Sequence, residues 1–264
     1  MNMRCYKAVL SPLTALFMLL AGFSSPASSG VTITGTRIIF PGAEREATVR
    51  TINRGGSPVL VQVWVDDGSK NADINTMTVP FTVTPPVYRI DQGKGQSVRL
   101  IYNGMKLPDD RESVYWFNLL EIPAVNEQYQ QKDRLELAFR TRIKIFYRPA
   151  SLTADSTLNA EKLRWTVTRS GKSAGVLVNN PTPYYFNFGR MQVSAGNSVY
   201  PLSPGMVAPY SEAVFSPTGN KSVPQNISSI DFDLLNDHGT AIAGKASWRA
   251  PEGWSVKFPS ADNS

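Results

Sequence analysis

The stretch Leu135-Glu136-Leu137-Ala138-Phe139-Arg140-Thr141-Arg142-Ile143-Lys144-Ile145-Phe146-Tyr147-Arg148 alternates almost without a break. Its odd positions carry Leu135, Leu137, Phe139, Thr141, Ile143, Ile145 and Tyr147, while Glu136, Arg140, Arg142, Lys144 and Arg148 charge most even ones. A two-residue period places successive side chains on opposite faces of an extended strand, so one face is apolar and the other basic. At about 3.4 Å per residue such a strand runs ~48 Å, more than twice the usual length. One small sandwich does not easily cover all of it. On pattern alone two readings stand: a long core strand with every odd residue inward, or a strand whose Ile143 and Ile145 serve the core while Leu135, Leu137 and Phe139 are offered to another chain. Apolar edges are normally suppressed because they template aggregation, so keeping one suggests a partner.

Working outward, short alternating runs are punctuated by turn formers, and no long stretch keeps a 3.6-residue period. The chain reads as all-β. Upstream strands are expected at Val31 to Phe40, Glu46 to Arg54, Pro58 to Asp66, Phe81 to Ile90, Gln96 to Tyr102 and Val114 to Ile122, with Arg134 to Tyr147 as the seventh. Seven short antiparallel strands favour an immunoglobulin-like sandwich. After Arg148-Pro149 charges thin out and Ser, Thr, Asn, Gly and Pro become frequent, which places a domain boundary there, with domains at 30–150 and 151–264. The second domain reads as a looser sandwich with strands at Leu163 to Thr168, Gly175 to Asn179, Tyr184 to Val193, Glu212 to Ser216, Ile227 to Leu235 and Ala241 to Trp248, and a frayed tail after Pro251.

The 264 residues, 42% of them apolar, suffice for two cores. Residues 1–29 read as a secretory signal: Arg4 and Lys7 open it, Ala8 to Phe23 form an apolar run, and Ser24 to Gly30 are suited to cleavage after Ser29 or Gly30. The apolar run is interrupted by Pro12 and short for a membrane span of about 20 residues. The one cysteine, Cys5, lies within this leader, so disulfides, thiolate nucleophiles and Cys-bound metals are excluded from the mature chain. That chain keeps 25 basic and 21 acidic side chains, a diffuse +4 that makes nucleic acid a poor candidate partner.

The parts of an enzyme are missing. His238 is the sole histidine, and no strand-to-helix turn is predicted that would present a serine nucleophile to it. One histidine and no mature cysteine leave a zinc site short of ligands. Ser170-Gly171-Lys172-Ser173 imitates the end of a phosphate loop, but Thr166 stands where the first glycine belongs, and the segment reads as a hairpin turn. Asp66-Asp67 and Asp109-Asp110 are assigned to turns, where they bond the backbone. Trp64, Trp116, Trp165, Trp248 and Trp254 mostly fall in strand patterns that read as core, which argues against a sugar-binding sandwich. No catalytic residue, metal, cofactor or small-molecule substrate is expected.

The run Ile143-Lys144-Ile145-Phe146-Tyr147-Arg148-Pro149 resembles the periplasmic chaperones of fimbrial assembly by the chaperone-usher route. Thr36-Arg37-Ile38-Ile39-Phe40, Trp64-Val65-Asp66-Asp67-Gly68, Thr84-Pro85-Pro86, Asp110-Arg111-Glu112-Ser113, Glu121-Ile122-Pro123, Asn180-Pro181-Thr182-Pro183-Tyr184-Tyr185 and Asn236-Asp237-His238-Gly239 follow in the family's order across nearly the whole mature chain. The resemblance implies two immunoglobulin-like domains arranged as an L and a periplasmic location. It also implies capture of fimbrial subunits by donor-strand complementation and delivery to an outer-membrane usher; whether the client-free chain self-associates through its open strand the sequence leaves open. It assigns Arg37 and Lys144 as the anchor for the client's terminal carboxylate. Leu135, Leu137 and Phe139 become the residues that fill the client's groove, with Phe139 bulkier than the aliphatic residue expected there. Glu112, Arg148 and Asp237 match an ion network between the domains, and His238 replaces an aromatic residue as a solvated turn position. The 11 residues from Ala124 to Arg134 place the chain with the short-loop branch. The competing reading is a secreted adhesin or a pilus subunit, but such chains commonly carry a disulfide and an incomplete fold.

Overall fold

The computed structural model describes residues 30–69, 77–123, 137–152, 155–170, 173–219, 223–224, 226–249 and 253–258. The expected leader, Leu135 and the connection from Ala124 to Arg134 lie outside them. The described residues form two β-sandwiches, each with its own apolar cluster.

The first sandwich contains nine strands, two more than the alternation predicts: β1 (Val31–Ile33), β2 (Arg37–Pro41), β3 (Glu46–Asn53), β4 (Val59–Asp66), β5 (Phe81–Thr84), β6 (Val87–Ile90), β7 (Gly95–Tyr102), β8 (Ser113–Pro123) and β9 (Phe139–Arg148). The extra strands come from chain segments that change sheets midway. One sheet runs β1-β3-β7-β5 and the other β2-β9-β8-β4-β6. The predicted strand from Val31 to Phe40 is therefore cut at Thr34–Thr36, and that from Phe81 to Ile90 at Pro85-Pro86, where two residues without an N–H cannot continue a ladder.

The core lies between these sheets. Val59, Val61, Val63 and Val65 of β4 face it, as do Val98 and Leu100 of β7, Phe117 and Leu119 of β8, and Ile143, Ile145 and Tyr147 of β9. Phe40 of β2 is wholly buried, edge-on to Phe81 at 5.0 Å and stacked on Tyr147 at 6.2 Å. Burying a phenylalanine contributes about 2–3 kcal/mol, so this contact clamps β2 onto the last half of β9.

A short 3₁₀ helix, Ser156–Lys162, follows; the Asp155 carboxylate caps it by accepting the Thr157 N–H at 2.8 Å. The second sandwich also has nine strands: β10 (Arg164–Ser170), β11 (Ser173–Asn180), β12 (Phe186–Ala195), β13 (Ser198–Leu202), β14 (Gly205–Val207), β15 (Ser211–Phe215), β16 (Ile227–Leu235), β17 (Ala241–Arg249) and β18 (Gly253–Lys257). Sheets β10-β11-β15 and β13-β12-β16-β17-β18, with β14 also paired to β12, enclose Trp165, Phe186, Phe188, Phe215 and Phe232. The β10–β11 ladder closes at Ser170↔Ser173, the hairpin expected of the imitation phosphate loop. The tail expected to fray after Pro251 instead supplies β18, paired to β17 from Lys245↔Lys257 to Arg249↔Gly253. Its partly buried Trp254 and Val256 pack on the core, which outweighs the fraying expected near a terminus.

Candidate functional site

β9 is flanked unevenly. On one side β8 pairs with it antiparallel from Ser113↔Tyr147 to Glu121↔Phe139. On the other side β2 pairs with it in parallel, but only from Arg37↔Lys144 to Pro41↔Arg148. Among the described residues, Phe139 to Ile143 therefore have a strand on one side only, and their other edge is open. The side chains change environment at the same place. Ile143 and Ile145 are buried, whereas Phe139 is 60% and Leu137 55% exposed. A strand with every odd residue inward is thus ruled out. The predicted length also shrinks, because the ladder with β8 ends at Glu121↔Phe139 and Leu137-Ala138 have no paired backbone.

The open stretch ends at two cations. Arg37 begins β2 and faces Lys144 across the parallel pair. Both line a cleft of ≈ 520 Å³ between the sandwiches, together with Trp116, Asn187 and Met206. Lys144 donates to Asn187 Oδ1 at 2.6 Å, and Arg37 Nη1 to the Leu235 carbonyl at 3.2 Å. The Arg37 Nε is buried without a hydrogen-bond partner. Among the described residues neither cation forms an ion pair. Burial, aided by repulsion from Arg37, lowers the Lys144 pKa. Burial also lowers that of Arg37, against the Asp237 charge, which acts to raise it. Two desolvated positive charges side by side, with only neutral acceptors, form a receptor for an anion.

Behind this pair a second cluster joins the sandwiches. Arg148, the last residue of β9, donates Nε to Glu112 at 2.8 Å and both terminal nitrogens to Asp237, at 2.7 and 2.8 Å. Glu112 is 3% exposed, and its other oxygen accepts the Tyr185 N–H at 2.8 Å. Burial pushes the Glu112 carboxyl up, against the Tyr185 N–H and the Arg148 charge. Burial acts the opposite way on Arg148, but its two carboxylates outweigh it and hold the guanidinium above its usual value. Asp237 is presented by the turn between β16 and β17, in which Asn236 Oδ1 accepts the N–H groups of His238 and Thr240. Gly239 there has φ +80°, and a Cβ on it would stand 2.0 Å from Thr36 Oγ1, so glycine permits the close approach of this turn to Arg37. His238 points to solvent.

Family models match both sandwiches: "Pili and flagellar-assembly chaperone, PapD N-terminal domain" over residues 30–153, and "Pili assembly chaperone PapD, C-terminal domain" over residues 159–246. The chain belongs to the PapD family of pilus-assembly chaperones. It is 42% identical over 237 residues to the probable fimbrial chaperone YadV of Escherichia coli K12, covering 88% of this chain and 96% of the relative. It is also 39% identical over 253 residues to the chaperone protein HifB of Haemophilus influenzae, covering 93% and 99%. The crystal structure of the YadV chaperone superimposes with a TM-score of 0.70 at 40% identity, over 83% of this chain and 100% of that one. A Salmonella enterica structure of SafA pilin in complex with the SafB chaperone is similar at a TM-score of 0.66 and 26% identity, over 80% and 92%.

One feature of this PapD-family chain escapes sequence reasoning. Asp66, assigned to a turn, does accept the Gly68 N–H, but it is also 5% exposed and pairs with Arg140 at 3.2 Å and with Arg142. Asn118 donates to the same carboxylate at 2.8 Å and accepts from Arg140 at 2.7 Å. Arg140 lies over Trp64 at 5.0 Å and Arg142 over Trp116 at 4.6 Å. The basic face of β9 is therefore a cross-strand assembly on the outer sheet surface of the chaperone. It also corrects the expectation for the tryptophans: Trp165 is buried in a core, but Trp64 and Trp116 sit beneath arginines and Trp248 is exposed. The ladder Asp66↔Trp116, Asn118↔Arg142 carries the signal, but it is legible only once the strands are paired.

Proposed function

We propose that this chain is a periplasmic, non-catalytic chaperone that captures a fimbrial subunit by lending it the open edge of β9, and that it hands the subunit to an outer-membrane usher. The observation that carries the proposal is the half-open strand: free edge and exposed apolar side chains end together at Arg37 and Lys144. In this reading an incomplete client sandwich takes β9 as its missing strand, a known mode of β-augmentation in which main-chain bonds supply pairing and alternate side chains supply specificity. Leu137 and Phe139 fill the client's groove, with Leu135 continuing the series outside the described residues. Their burial contributes on the order of 3–6 kcal/mol gross, before ordering costs. The client's terminal carboxylate lies between Arg37 and Lys144, each charge-assisted hydrogen bond contributing about 1.5–3 kcal/mol.

Glu112, Arg148 and Asp237 hold the angle between the domains, which divide near residue 150, so that Asn187 and Leu235 of the second domain frame the anchor. Residues 1–29 direct export and are removed. The similarity to SafB, solved with a pilin bound, supports a subunit as the partner. Co-expression with a candidate fimbrial subunit tests the reading: a soluble one-to-one complex is expected in the periplasm, and a subunit that stays insoluble or is degraded equally with and without this chain contradicts it.

A further inference from the structure

The open end of the first sandwich holds a carboxylate that the client-binding reading does not use. Glu121 lies on β8 opposite Val61 and Phe139, and cross-strand partners share a face, so its side chain is on the inner side of its sheet. Its Oε2 accepts the Val31 N–H at 2.7 Å, which ties β8 to β1 in the opposite sheet. Gly30 lies against the same group: a Cβ built there would stand 2.2 Å from Oε2 and 2.5 Å from Oε1, so a side chain at this position would displace the Glu121 carboxylate. The Gly30 carbonyl accepts the Arg54 N–H at 3.1 Å, extending the β1–β3 ladder one residue beyond Val31↔Asn53. A carboxylate has about four acceptor sites. Among the described residues this one receives the Val31 amide and forms no ion pair with a Lys or Arg.

We propose that Glu121 is the receptor for the amino-terminal ammonium of the processed chain, and that processing occurs at the Ser29–Gly30 bond. The inference rests on the export reading above. Hydrolysis by an export endopeptidase adds water across that peptide bond: the hydroxyl goes to the Ser29 carbonyl, which departs as the leader's carboxylate, and the Gly30 nitrogen is released and protonated. The new ammonium is then on the residue next to Val31, whose N–H uses one Glu121 oxygen while the other can accept. Cleavage at Gly30–Val31 would remove the carbonyl bonded to Arg54. In the precursor the same nitrogen is a neutral amide that continues into the leader. The bond across the two sheets therefore gains its charge only after cleavage.

Intact mass of the exported protein reads the first part, and a chain starting at Gly30 is expected. The second part is read by melting four proteins: the mature chain, the chain with Ser29 retained, Glu121→Gln, and both changes together. Each single change is expected to lower Tm by about 3–10 °C, and the combination by no more than the larger of the two. The α-amino group should titrate above its ordinary ~7.7–8.0 in the mature chain and return to that range in Glu121→Gln. A chain beginning at Val31, an uncleaved chain, or additive Tm losses would overturn the proposal. The Ser29-retaining protein keeps Glu121, so the test survives if Glu121→Gln fails to fold. None of these readouts uses a client, so failure to capture a fimbrial subunit would sink the chaperone reading alone.

Discussion

Replacing Lys144 with Met separates the anchor from the fold, because the same charge should count with opposite signs in the free and the client-bound protein. In the free chain the ammonium is desolvated and beside Arg37, and both lower its pKa. Its loss removes that cost but leaves Asn187 Oδ1, on a side chain that is itself buried, without its 2.6 Å donor, a penalty of about 1 kcal/mol. The two nearly offset, so Tm should stay within about 2–4 °C of the parent. The methionine stem keeps the side chain's apolar packing. With a client bound, a charge-assisted hydrogen bond of about 1.5–3 kcal/mol is gone, which weakens Kd by ~10- to 150-fold.

The pH dependence gives a second sign. A base whose folded pKa is lowered binds fewer protons when folded. Free-protein stability should therefore rise with pH between that lowered value and the ordinary lysine ~10.4, while client affinity falls over the same window. Lys144→Met should flatten both trends. Competition for a limiting subunit, read as complex recovered at each pH, measures the affinity, and scanning calorimetry measures Tm. An unchanged Kd, or a Tm loss above ~6 °C, refutes the reasoning: the first removes the anchor, and the second makes Lys144 a structural residue.

Three further substitutions probe the rest of the site. Leu137→Glu changes a side chain that is already exposed, so Tm should move by less than ~2 °C while capture weakens at least tenfold; a large loss of Tm would place Leu137 in its own core. Asp237→Ala removes two of the bonds to Arg148 and leaves Glu112 as the one carboxylate on a guanidinium that is 11% exposed, which should cost about 1.5–3 kcal/mol by denaturant unfolding, and a change under ~1 kcal/mol would show the cluster to be solvated. Asp66→Asn breaks the pairs to Arg140 and Arg142, which are half-exposed and therefore discounted to at most about 1 kcal/mol each, so Tm should fall by ~2–6 °C, and no fall would reduce the outer-face assembly to decoration.

Alternation alone identified β9, because its period is independent of which strands lie beside it. It did not say where the strand leaves the core. That break is set by β2, which reaches only Lys144, and by β8, whose ladder ends at Glu121. Likewise the alternation ran one strand from Phe81 to Ile90 straight through Pro85-Pro86, since the change of sheet there depends on partners distant in sequence. Asp66 and Trp116 lie 50 residues apart and meet only through the β4–β8 ladder, so local turn chemistry was a sound reading of Asp66 and an incomplete one. Arg37, Lys144, Glu112, Arg148 and Asp237 came from the resemblance; as isolated residue types they would pass for surface charges. β18 was missed because its few apolar residues are stabilised by a core they complete, not by any pattern of their own.

The place where β2 begins has a geometric corollary. Among the described residues no strand lies on the open side of Phe139 to Ile143, and Arg37 stands at the far end of that lane, so in the proposed reading a guest strand laid there would advance only until it met this buffer. A guest whose carboxyl terminus comes to rest at Arg37 must travel in the same direction as β9, and its alternation is then phased from that terminus. One residue added or removed at the guest's tail would turn its whole inward face outward, so the barrier works as a ruler that reads length and phase in a single measurement.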